Sequence, residues 1–95
     1  MDHEGWFLMV SLPMNNTAFL ILGSFPLSNK WYPTQAFKQL NVSQVAIFNG
    51  FNELKHKGLI VELKSNGSQR IKMYELTPRG VVTKETYLSL LRLIS

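Results

Sequence analysis

A short series of punctuation signals between Asn41 and Pro78 leaves this chain little conformational freedom. Ser43 suits a helix N-cap, because its hydroxyl can accept from an orphan N–H of the first turn. Ile47, Phe51 and Leu54 follow at the spacing of one buried helical stripe. Gly58 then stands where a left-handed residue ends a helix, after Lys55 and Lys57, which suit its negative end. Leu59 to Leu63 is β-prone, Asn66-Gly67 is a strong hairpin signal, and Arg70 to Leu76 is the returning strand. Thr77-Pro78 opens another helix, with Thr as cap and Pro in the first turn. The stretch predicts a helix, a tight stop, a two-stranded ribbon and a helix.

The rest of the chain is arranged around that run. Asn15 or Asn16 can cap a helix through about Ser24, with Phe19, Leu20, Ile21 and Leu22 mostly buried, and Pro26 stops it. Lys30-Trp31-Tyr32 reads as a short strand paired with the ribbon. Pro33-Thr34 opens a second helix to Leu40, with Ala36, Phe37 and Leu40 facing inward, and Asn41-Val42 turns into the third. In the returning strand Tyr74 and Leu76 share one parity while Ile71 and Met73 share the other. Hydropathy alone favours Ile71 and Met73 as the inner pair.

This layout, with its specific residues, resembles the winged helix-turn-helix regulators of the MarR and PadR type. The matching motifs are Leu40-Asn41-Val42-Ser43 before the third helix, Leu54-Lys55-His56-Lys57-Gly58-Leu59-Ile60 at its end, and Tyr74-Glu75-Leu76-Thr77-Pro78-Arg79-Gly80 after the wing. The resemblance covers residues 15–80. It implies an α+β fold: a small winged helix-turn-helix with a three-helix core, a two-stranded β-wing and a C-terminal dimerisation helix. It also places Tyr74 and Leu76, rather than Ile71 and Met73, in the core. The expected organisation is a single domain over 1–95, with an apolar arm at 1–13, the winged-helix core at 15–76 and the last helix at 77–95.

Charge distribution agrees with a polyanion partner. The net charge is +4, from ten Lys and Arg against six Asp and Glu. Lys55, Lys57, Lys64, Arg70, Lys72 and Arg79, set against Glu62 and Glu75, account for all of it, so the wing region is basic and the remainder neutral. There is no cysteine, which excludes disulfides and thiolate metal sites and suits a cytoplasmic setting. Gly5 to Asn29 carries no charge, but Pro13, Asn15 and Asn16 divide it into pieces too short to span a bilayer. Met1-Asp2-His3-Glu4 lacks the basic start of a signal peptide. No membrane partner is expected.

Candidate DNA contacts fall on the third helix and the wing. Gln44, Asn49 and Asn52 can pair with adenine edges, Val45 can meet a thymine methyl, and Ser43 lies at a helix start suited to a phosphate. Asn49 and Asn52 share their outward face with Glu53 and His56. Lys55, Lys64, Asn66, Arg70 and Lys72 can lie on the backbone or dip into the minor groove. Lys30, Lys38 and Arg79 are lesser candidates. The helix contains no Arg, so the commonest guanine contact is absent.

Phe48 and Gly50 are unusual in a helix meant only for a groove. They prompt a second resemblance, to TubR-type adaptors of plasmid partition, in which recognition helices meet in the dimer interface. The last helix is apolar nearly all round after Thr86, which points to a homodimer built on Tyr87, Leu88, Leu91 and Ile94, with Phe48 as a further interface candidate. The Trp6 to Val10 segment is expected to cover the domain or a second subunit. A winged helix used only for contacts with another protein is the alternative of a different class. Enzyme signatures are missing, the acids are scattered over solvent-facing positions, and His3 and His56 have no partner at ligand spacing. Neither a catalytic site, a metal nor a cofactor is therefore expected.

Overall fold

The computed structural model describes residues 14–63 and 72–94. In chain order these form α1 (Asn16–Ser24), β1 (Lys30–Trp31), α2 (Pro33–Gln39), α3 (Gln44–His56), β2 (Ile60–Leu63), β3 (Met73–Leu76) and α4 (Pro78–Ile94). The strands make one antiparallel sheet in the order β1-β3-β2, with Trp31 opposite Tyr74, Ile60 opposite Leu76 and Glu62 opposite Tyr74. The expected N-terminal arm at 1–13 lies outside the described residues, as does the hairpin tip with Asn66-Gly67.

Helix starts follow the sequence signals. Asn15 Oδ1 accepts from the Ala18 N–H at 2.9 Å, and Ser43 Oγ accepts from the Ala46 N–H at 3.1 Å. Each satisfies a first-turn donor that the helix itself cannot reach. At the end of α3 the Leu59 N–H bonds the Leu54 carbonyl and the Gly58 N–H bonds the Lys55 carbonyl, both at 3.0 Å. Gly58 sits at φ +75. This is the Schellman stop, in which a glycine takes the left-handed position without a Cβ penalty.

The core is one cluster in which Phe51 is the hub. Its ring lies 6.0 Å from Phe25, 6.3 Å from Trp31 and 5.2 Å from Tyr74. Ala18, Ile21, Leu22, Ile47, Leu54, Leu59, Ile60 and Leu76 surround it. Tyr74 and Leu76 are buried and Met73 is only half-buried, so hydropathy alone misjudges the wing's parity. The register decides it, since β3 is the central strand and Tyr74 sits between Trp31 and Glu62.

Two apolar side chains expected inside are outside. Phe37 is 44% exposed, because the seven-residue α2 buries only the Pro33, Ala36 and Leu40 side, and Phe37 lies about 100° away from Ala36. Leu20 is exposed for the same reason: α1 packs through Ala18, Ile21 and Leu22.

Two glycines mark close approaches. A Cβ on Gly50 would lie 2.5 Å from the Ile21 side chain, so Gly50 lets α1 cross α3. The backbone that this glycine admits belongs to the same chain. A Cβ on Gly80 would run into the Leu59 carbonyl. Thr77 completes that joint: its Oγ1 accepts from the Gly80 N–H at 3.0 Å and donates to the Gly58 carbonyl at 2.8 Å, while the Thr77 N–H bonds the Leu59 carbonyl at 3.0 Å.

The two glycines that end α3 and begin α4 should therefore differ in cost. Gly58→Ala has open space and pays only for its left-handed backbone, about 1–2 kcal/mol. Gly80→Ala must push two backbones apart and should lose about 3 kcal/mol or more. Urea denaturation of both variants checks the ranking; equal losses would show that the joint can open freely.

Candidate nucleic-acid interface

Helix α3 buries Ile47, Gly50, Phe51 and Leu54 on one side. With α1, α2 and the sheet packed against the helix, the surface turned away from them is open. Gln44, Val45, Asn49 and Asn52 are all exposed, and Ser43 is exposed at the N-cap. These five candidates thus lie together on one helix and its cap. Glu53, expected on the outward face, is half-buried, and its Oε1 accepts from the Asn15 N–H at 3.5 Å. At 100° per residue it falls between Gly50 and Asn49, at the edge of the outward face nearest α1.

The face carries cations at its lower end. Lys55, in the last turn of α3, places Nζ 3.2 Å from Glu62 Oε1, and Lys72 places Nζ 3.9 Å from the same oxygen. Both lysines are largely exposed. Asn52, Lys55 and His56 line a shallow depression beside them. Lys64, Asn66 and Arg70 lie outside the described residues. Glu62, which sequence reasoning left as a plain solvent-facing acid, joins the end of α3 to the base of the wing. A carboxylate two positions after the buried Ile60, on the same side of β2, was the available signal.

Phe48 lies on the flank of α3 and is 44% exposed. The candidates on α4 divide into two groups. Tyr87 and Leu88 are half-buried against α1: the Tyr87 ring stacks on Phe19 at 5.0 Å, and both side chains reach Gly23. Leu91 and Ile94 are exposed, together with Val82, Leu90 and Leu93. Leu88, Leu91, Arg92 and Ile94 line one open groove near the end of the helix.

No family model and no curated protein matches the chain. Solved structures do. A mutant MarR from E. coli complexed with operator DNA superimposes with a TM-score of 0.70 at 23% identity, over 87% of this chain and 59% of that one. AdcR from Streptococcus pyogenes gives 0.74 at 20% identity, over 94% and 66%. FabT from Streptococcus pneumoniae in complex with DNA gives 0.71 at 18%, over 86% and 57%. The chain has the MarR-type winged-helix fold. It spans less than two thirds of the length of these three relatives in structure.

Within this fold, α3 is the third helix of the three-helix core and β2–β3 form the base of the wing. Among the described residues there is no cluster of His, Asp or Glu suited to a metal, and no helix is long and apolar enough to cross a membrane.

The core face of the wing has a titratable reporter. Burial pushes the Tyr74 phenol above its ordinary value, the Glu62 carboxylate pushes it the same way, and Lys55 pulls it back. The folded state therefore holds this proton more tightly than the unfolded chain. The associated stability is intact below the ordinary phenol pKa of about 10 and is lost as pH rises through the higher folded value. Tyr74→Phe should flatten the fall in urea midpoint above about pH 10. An alkaline fall of unchanged steepness would assign the loss to other groups.

Proposed function

We propose that this chain is a homodimeric winged-helix DNA-binding protein, a transcriptional regulator that engages duplex DNA through α3 and the wing. The observation that carries the reading is the division of α3. One face is consumed by the core, while Gln44, Val45, Asn49 and Asn52 are exposed, and the acid nearest them on the helix, Glu53, is half-buried and accepts from the Asn15 N–H. Asn and Gln side chains match the donor–acceptor pair of adenine in the major groove. Lys55 and Lys72 flank this surface, and the sequence adds Lys64, Asn66 and Arg70 as candidate contacts. MarR and FabT, which share the fold, have been solved with DNA.

A homodimer is the arrangement that uses α4. Leu93 and Ile94 are 82% and 74% exposed, and one surface cannot leave so apolar a helix end in water without cost. Pairing two copies through Leu91, Ile94 and the groove beside Leu88 would cover it and present two recognition helices to a palindromic or repeated site. The exposed Phe48 favours a second arrangement, the partition-adaptor type, with α3 itself in the interface. A Phe48→Glu variant that stays dimeric speaks against that arrangement. Gly50 gives it no support, since α1 occupies the approach that glycine allows.

Binding of purified protein to a mixed-sequence duplex, followed by fluorescence anisotropy at several salt concentrations, tests the DNA reading. Affinity should fall linearly on log–log axes. Arg70→Ala should weaken binding to all sequences and flatten the slope by about one. A failure to bind even at low salt leaves the different-class alternative, a winged helix for protein contacts only.

The dimer is tested separately by sedimentation. Wild type should have the mass of two chains, and Leu91→Glu should shift it towards one chain by placing a carboxylate in the groove. A wild type that sediments as one chain at high micromolar concentration would overturn the dimer.

A further inference from the structure

We infer that Glu62 is a built-in competitor for DNA phosphate, which holds Lys55 and Lys72 while the protein is free and releases them when a duplex docks. The inference rests on the DNA-binding reading above and assigns a role to a residue that contributes no contact of its own.

The placement of Glu62 follows from the strand's alternation. Ile60 pairs with Leu76 and Glu62 pairs with Tyr74, and directly opposed residues in an antiparallel ladder share a side of the sheet. Leu76, Tyr74 and Ile60 all point into the core that covers α3. Glu62 therefore stands on the inner side of β2, one step beyond the core's edge, where an apolar residue would continue the pattern. A carboxylate there is held by what surrounds it. Its Oε1 takes Lys55 Nζ at 3.2 Å from the end of α3 and Lys72 Nζ at 3.9 Å from the start of the returning strand. The raised pKa of Tyr74, caused first by burial and then by Glu62, with Lys55 opposing, agrees with this packing.

Two cations on one anion carry a local charge of +1 where the lysines alone would carry +2. These lysines sit at the junction of recognition helix and wing, the described region where a phosphate chain passing from one to the other would lie. The Glu62 side chain is one-third exposed and the lysines are more than half exposed, so both pairs are weak and can be exchanged. A phosphate oxygen offers each lysine the same charge-assisted bond, and its arrival puts two anions against each other unless Glu62 lets go.

Glu62→Gln keeps the shape and removes the charge. In the anisotropy titration it should bind duplex about threefold to tenfold more tightly than wild type near 0.1 M salt, with a slope steeper by about one. The same substitution should give little gain in a Lys55→Ala, Lys72→Ala background, because Glu62 acts by occupying those lysines. Unchanged or weaker binding by Glu62→Gln, where wild type binds, overturns this inference and leaves the DNA reading intact. A gain of equal size without the lysines overturns it too, since plain repulsion of DNA would then suffice. Failure of wild type and every variant to bind at any salt removes the DNA reading itself.

Discussion

The contact between the Leu59 carbonyl and the bare Cα of Gly80 is the joint on which the rest of the fold depends. Around it the end of α3, the start of β2, the end of β3 and the start of α4 meet within a few residues. Gly58 turns the chain, Thr77 bridges to its carbonyl, and Gly80 allows the helix to lie directly on Leu59. The motifs that carry the family resemblance, ending in Gly58-Leu59-Ile60 and Thr77-Pro78-Arg79-Gly80, are thus two halves of one structural clasp. Their presence speaks for the architecture; the candidate base contacts Gln44, Val45, Asn49 and Asn52 lie outside them.

From that clasp the open surface of α3 follows by exclusion. Helix α3 is packed by α1 across Gly50, by the sheet through Phe51 and Tyr74, and by α2 near Ile47 and Leu40. Its buried stripe leaves no room for the polar residues, which are forced outward together. The same geometry turns Glu53 to Asn15 and Glu62 to the two lysines, so each acid near α3 is engaged by a neighbour. The open face is neutral and amide-rich, with positive charge at its rim. On the DNA-binding function proposed above, such a surface would read base edges after the backbone has been found by electrostatics.

Much of this was legible from the residues. Helix starts at Asn15 and Ser43 and the stop at Gly58 were readable because each is a local hydrogen-bonding problem with few solutions. The parity of the wing was legible through the family resemblance, which puts Tyr74 and Leu76 inside, but not from hydropathy, since Ile71-x-Met73 looks equally like an inner strand; pairing with Trp31 and Ile60 is what distinguishes them. Phe37 and Leu20 were misjudged because apolarity says what a side chain prefers, whereas a seven-residue or nine-residue helix buries only one stripe. Gly50 could be read as a close approach but not whose, and the alternation of β2 could place Glu62 on the inner side but not name Lys55 and Lys72 as its partners, because they lie on other elements.

Helix α4 also has a mechanical meaning. Lys84 Nζ donates to the Phe25 carbonyl at 2.7 Å, and Tyr87 stacks on Phe19, so the first half of α4 is fastened to α1. Its last turns project beyond that support. Seventeen residues of helix span roughly 26 Å, so a tilt of about 5° at the Gly80 end moves the tip by about 2 Å. In a dimer joined at the tips, α4 is a lever arm with its fulcrum at Leu59. Small changes at that fulcrum would reset the separation of the two copies of α3, which, on the DNA-binding function proposed above, is the dimension that a repeated site would measure.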